Sequence, residues 1–130
     1  MNSHQADNIL VVEDNPDTQI LLRYLLQSRY GIHTVTRVED ALAHIEKHEY
    51  TLLLVDINLG EERTGVDLLN IVRDHELYAT LPMVAITAYA MPGDDHKFLR
   101  MGFDAYISKP FSRTELYTAI NQVLDHEKTS

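Results

Sequence analysis

Residues 51–60 read "TLLLVDINLG": four aliphatic side chains in a row, then an aspartate, then a polar loop containing a glycine. A run this short and this apolar is the pattern of a strand covered on both faces, because alternation disappears when neither face meets water. The chain therefore sets Asp56 at the rim of a core, where an isolated carboxylate is costly. The fold and the chemistry both follow from what could make that position tolerable.

Four further runs have the same character: "NILVV" (8–12), "IHTVT" (32–36), "PMVAIT" (82–87) and "AYIS" (105–108). The segments between them have helical spacing. The first carries Ile20, Leu21, Tyr24 and Leu25 on one face, with Asn15 as N-cap, Pro16 at the first helical position and Gly31 near its end as C-cap. The second has Thr36 three residues before Glu39, a capping-box spacing, and presents Ala41, Leu42 and Ile45 to a core. The third starts near Thr64 with Asp67 as the matching acid and buries Val66, Leu69 and Ile71 or Val72. The fourth is expected from Pro92 to Met101, stopping at Gly102. The fifth opens with a Ser112–Glu115 capping box, and Phe111 and Leu116 stand at the positions of a hydrophobic staple.

Strands that alternate with helices, over connections too long for hairpins, imply parallel pairing through right-handed crossovers and an open sheet covered on both faces. Length agrees with one domain: 130 residues, 45% of them hydrophobic, close a single core. The expected divisions are a tail at 1–7, the folded unit at 8–126 and a second tail at 127–130. With no cysteine there is neither a disulfide framework nor a thiolate metal site, which suits a reducing compartment, and the cytoplasm is the expected location. No apolar run approaches the roughly 20 residues of a membrane span. The formal charge of −9, from 20 acidic against 11 basic residues, disfavours direct binding of nucleic acid and suits cationic partners or a metal.

Open parallel sheets bind ligands at the carboxyl ends of their strands. Those ends carry Glu13, Asp14 and Asn15 after the first strand, Asp56 and Asn58 after the third, Thr87 and Ala88 after the fourth, and Ser108, Lys109 and Pro110 after the fifth. Three neighbouring carboxylates cannot all stay ionised without a cation, and one lysine is too little. A hard divalent ion such as Mg²⁺ fits an all-oxygen donor set and leaves room for a phosphate oxygen. Asp56 then becomes a candidate nucleophile toward phosphorus, with Thr87 and Lys109 placed to stabilise the phosphoryl oxygens.

The series "VVEDN" (11–15), "LLLVDINL" (52–59), "AITAYAMPGD" (85–94) and "DAYISKPF" (104–111) resembles the receiver domain of two-component response regulators over nearly the whole chain. The resemblance implies a flavodoxin-like (βα)5 fold with strand order 2-1-3-4-5. It also implies a signalling switch that catalyses only its own phosphorylation and dephosphorylation. Residue by residue, Glu13, Asp14, Asp56 and the backbone carbonyl of Asn58 would hold Mg²⁺. Asp56 would accept the phosphoryl group from a histidine kinase or histidine phosphotransfer protein, Thr87 and Lys109 would bind its oxygens, and Ala88 would leave room for the transfer. Tyr106 would be the aromatic that turns inward with Thr87, and Lys109–Pro110 would be a cis peptide. Output would pass through the surface of the fourth helix, fifth strand and fifth helix to a downstream protein.

Two departures stand out. The loop "DINLGEERTG" lacks the Met-Pro pair common in the family, is acidic at Glu61 and Glu62, and puts Gly65 nine positions after Asp56. No effector domain follows "NQVLDHEKTS", so a free-standing receiver is expected, with a receiver cut from a hybrid histidine kinase as the alternative. A Mg²⁺-dependent phosphatase with an aspartyl nucleophile is disfavoured, because it would have a second acid where Asn58 stands. His44 and His48, one helical turn apart, are read as a solvated face.

Overall fold

The computed structural model describes residues 7–60, 63–88 and 91–129, with side chains as far as Leu124. Residues 1–6, which make up most of the expected 1–7 tail, and Glu61 and Glu62 of the acidic loop lie outside the described residues. Ten elements follow in strict alternation: β1 (Asn8–Val12), α1 (Pro16–Leu26), β2 (Gly31–Val35), α2 (Val38–Lys47), β3 (Leu52–Asp56), α3 (Gly65–Arg73), β4 (Met83–Thr87), α4 (Asp94–Met101), β5 (Ala105–Ser108) and α5 (Arg113–Thr129). The strands form one parallel sheet in the order β2-β1-β3-β4-β5.

Period-two alternation divides the apolar residues between two layers. Ile9, Val11, Leu52, Leu54, Val84, Ile86, Ala105 and Ile107 face α1 and α5, where Leu22, Leu25, Leu26, Leu116 and Ile120 meet them. Leu10, Val12, Leu53, Val55, Met83 and Ala85 face the other way, toward Val38, Ala41 and Ile45 of α2, Leu68, Leu69 and Val72 of α3, and Phe98 of α4. β3 and β4 are buried at every position, as the unbroken run 52–55 demands. No helix among the described residues is long and apolar enough to cross a membrane.

Local chemistry explains where the helices start. Asn15 Oδ1 accepts from the amides of Asp17 and Thr18 at 2.9 and 3.2 Å. Thr64 and Asp67 form a reciprocal capping box, and so do Ser112 and Glu115. Leu116 is buried in the layer against which Phe111 packs, as the staple requires.

Four expectations are corrected. In α1 the buried face is Leu22, Leu25 and Leu26; Ile20 and Tyr24 are 68% and 69% exposed and Leu21 is exposed as well. Gly31 is not a C-cap: α1 closes at Gln27, and Gly31 opens β2 where a Cβ would sit 2.1 Å from Asn8 Oδ1. The Thr36–Glu39 box does not form, because α2 starts one residue later with Arg37 at its N-cap and no side-chain cap. Glu39 instead lies 3.7 Å from Arg37 and 3.9 Å from Arg63. α4 begins at Asp94, since a turn closed by Asp94 N–H to Met91 O holds Pro92 and the left-handed Gly93 outside it.

Candidate functional site

The crossovers deliver the carboxyl ends of β1, β3, β4 and β5 to one edge of the sheet. Glu13 extends the β1 ladder through its amide to Val35 O, and its side chain is completely buried. Its Oε2 accepts from the Asn15 amide at 3.0 Å. Asp14, next in line, is exposed and accepts from the Gly60 amide at 2.7 Å. Asp56 ends β3 almost fully buried, and its Oδ1 receives the amide of Asn58 at 2.8 Å in a short Asx turn.

Lys109 reaches between the two buried acids. Its Nζ lies 2.9 Å from Glu13 Oε1 and 3.2 Å from Asp56 Oδ2. The ammonium donates to Asp56 and forms a close ion pair with Glu13, whose buried Oε1 has no other partner among the described residues. The Lys109 amide donates to Thr87 O at 2.7 Å, and the Lys109–Pro110 bond is cis. Thr87 is buried, and its Oγ1 accepts from Asn58 Nδ2 at 3.3 Å.

Electrostatics follow from this crowding. Burial, reinforced by Asp56 and opposed by Lys109 and the Asn15 amide, pushes the Glu13 carboxyl up to about 7. Burial works to lower the Lys109 ammonium, but Glu13 and Asp56 outweigh it and the net shift is upward. One lysine thus offsets the charge of two buried acids only in part.

Glu13, Asp14 and Asp56 each offer a carboxylate oxygen, all within 4.8 Å of one another. Donors that are all oxygen, one of them buried with Lys109 as its only neighbour of opposite charge among the described residues, fit a hard divalent cation. Asn58 stands at the rim of this trio, and Ala88 is exposed just beyond Thr87. Tyr106 stands apart: its ring stacks on Phe98 at 5.5 Å, and its hydroxyl is buried without a hydrogen-bond partner among the described residues. Burial, with Asp94 and Asp95 adding to it, raises its phenol.

Three contributors escaped the sequence reading. Gln19 Nε2 donates to Glu13 O, the Gly60 amide binds Asp14, and the Asn58 side-chain amide holds Thr87. Only the last had a local signal, an amide two residues after the aspartate. The other two depend on how a helix and a loop fold back over the β1 end.

Residues 9–121 match the model of the response regulator receiver domain. The chain belongs to that family. It is 39% identical over 116 residues to an uncharacterized 14.6 kDa protein from the sodA1 3′ region of Leptolyngbya boryana, covering 88% of each chain. It is 34% identical over 119 residues to the polar-differentiation response regulator DivK of Brucella ovis, covering 90% of this receiver and 95% of that protein. Among solved structures, a CheY-like receiver domain protein from Methanospirillum hungatei superposes with a TM-score of 0.84 at 27% identity, over 96% of this receiver and 98% of that chain. Receiver domains are signalling modules of two-component systems, and this receiver shares their flavodoxin-like fold.

Proposed function

We propose that this receiver, over residues 8–126, is a switch thrown by phosphorylation of Asp56. The observation that carries the reading is Lys109 Nζ, held 3.2 Å from Asp56 Oδ2 at the edge where Glu13 and Asp14 converge. In the proposed step an Asp56 carboxylate oxygen attacks the phosphorus of a phosphohistidine on a histidine kinase or phosphotransfer protein. An O–P bond forms, the N–P bond breaks, and its electron pair stays on the departing imidazole. Glu13, Asp14, Asp56 and the Asn58 carbonyl would hold Mg²⁺, which when bound supplies positive charge to the phosphoryl oxygens.

Lys109 and the Thr87 hydroxyl take up the remaining phosphoryl charge, and the small Ala88 leaves the approach open. A phosphoryl group that draws Thr87 toward it loosens the Asn58 contact and frees space behind β4 for Tyr106, so that the α4-β5-α5 surface changes for a downstream protein. Asn58, where an aspartyl phosphatase would need a general acid, carries an amide that cannot fill that role, which favours the switch over the enzyme.

Incubation with acetyl phosphate and Mg²⁺ should add one phosphoryl group, seen by intact-protein mass spectrometry. Asp56→Asn should abolish it. An Asp56→Asn protein that is modified as fast as the parent would place the acceptor elsewhere.

A further inference from the structure

Away from the phosphorylation edge, three histidines that the switch does not use meet on the outer side of the β2–α2 unit. His33 projects from β2, and His44 and His48 come from the last turn and C-cap of α2. Their ring centres are 5.0 Å (His33–His48), 5.7 Å (His44–His48) and 5.9 Å (His33–His44) apart. We propose that His33, His44 and His48 form a second metal site, for a borderline divalent cation of the zinc class, separate from the acidic trio.

Spacing is the first support. With a Zn–N bond of about 2.1 Å and a ring centre roughly 1.2 Å beyond the nitrogen, two imidazoles at the tetrahedral angle have centres about 5.4 Å apart. The three separations bracket that value, each within about half an ångström of it.

The tautomers are the second. His44 Nδ1 lies 2.9 Å from the carbonyl oxygen of Asp40, which can only accept, so Nδ1 carries the proton and the lone pair of the neutral ring is at Nε2. His33 Nδ1 lies 2.6 Å from the Tyr50 hydroxyl, and with Nδ1 as donor its Nε2 is free in the same way. A ring that donates from one nitrogen to a carbonyl or hydroxyl while offering the other is the usual state of a metal-bound histidine.

Closure requires movement. Among the described residues only the acidic trio already brings three ligand atoms within 4.8 Å of one another. The exposed His48 is free to swing inward by side-chain rotation, whereas the Nδ1 contacts orient the other two rings. Imidazole donors without a carboxylate select zinc, nickel or copper over Mg²⁺, so the two sites differ in the metals they prefer.

The test is Zn²⁺ titration followed by isothermal calorimetry and by NMR of the histidine rings and backbone amides. Millimolar Mg²⁺ is present throughout, and His4→Ala stands in every protein so that an amino-terminal site does not contribute. The expected result is one saturable Zn²⁺ with shifts at His33, His44 and His48, and binding at least about tenfold weaker in His44→Ala/His48→Ala. Tyr50→Phe should weaken it less while leaving the ring shifts in place. If the double variant binds Zn²⁺ as tightly as its parent, or the shifts fall on Asp14 and Asp56 instead, there is no such site. Circular dichroism of the double variant guards against misfolding. Should the pair be unstable, His48→Ala alone, at an exposed position, replaces it and must lose Zn²⁺ affinity in the same way.

Discussion

At the scale of single residues, Glu13 is the most informative side chain. It is buried beside Asp56 and titrates near 7 when no divalent ion is present, against 4.5 in a free chain. Between those values the folded protein holds a proton that the unfolded chain has released, so stability is full below about 4.5 and declines as pH rises through 7. Urea unfolding without metal should show that decline, amounting to at most about 3 kcal/mol. Glu13→Gln should flatten it, and Mg²⁺ should oppose it at pH 7 by favouring the ionised carboxylate. A parent and Glu13→Gln protein with parallel pH profiles would mean that Glu13 is not the group responsible. The acids themselves were legible because each follows directly on a recognisable strand. The Gly60 and Gln19 contacts were not, because a backbone amide and a side chain reaching a carbonyl leave no compositional trace.

At the scale of elements, the strands were read to within a residue because aliphatic runs bounded by turn formers have few alternatives. The helices were read less well. In α1 the exposed Ile20, Leu21 and Tyr24 imitate a core-facing stripe, and burial was settled instead by Leu22 and Leu26, which meet β1 and β3 residues distant in sequence. The β3–α3 connection shows how far a loop can depart while its end point is held. Gly65 is the first residue of α3, its amide bonds Ile57 O, and a Cβ there would lie 2.4 Å from the Asp56 carbonyl oxygen. The requirement is close approach of two backbones, which explains why a glycine returns after an altered loop. Gly65→Ala should therefore push α3 off the strand that carries Asp56, costing about 1–3 kcal/mol in denaturant unfolding and slowing phosphorylation. An unchanged unfolding midpoint would show that the loop yields at no cost.

At the scale of the whole molecule, the proposed switch has its chemistry at one edge and is reported by α4, β5 and α5. Tyr106 sits between these regions, its hydroxyl without a partner among the described residues and its ring on Phe98. An unsatisfied buried hydroxyl costs on the order of 1–3 kcal/mol, so this arrangement is poised to be exchanged for another. Beryllofluoride with Mg²⁺ should shift amide resonances across 88–116 as well as around Asp56, and Tyr106→Ala should confine the shifts to the site. Shifts confined to the site in the parent protein would rule out the long-range coupling. The order of the strands followed from the family resemblance. Which surface residues change could not be read, because a rearrangement depends on two packings and the sequence pattern reports only the burial common to both.

Arg73 gives the opposite end of the molecule a different character. Its guanidinium donates to the carbonyls of Ala79, Leu81 and Gly102 and to Asp104 Oδ2, and the same Asp104 oxygen receives the amide of Met83. The first residue of β4 and the residue before β5 are thereby riveted together. Their far ends carry Thr87 and Lys109. Strands pinned at one end are expected to act as levers with a fixed fulcrum, taking up displacements at the Thr87 and Lys109 end by bending along their length. Amide hydrogen exchange should accordingly be slowest at the pinned starts of the two strands, Met83 and Ala105, and quicken toward Thr87 and Ser108. In Arg73→Ala that gradient should collapse, with exchange quickening at the pinned end, while an undiminished gradient would show that sheet pairing alone anchors these strands.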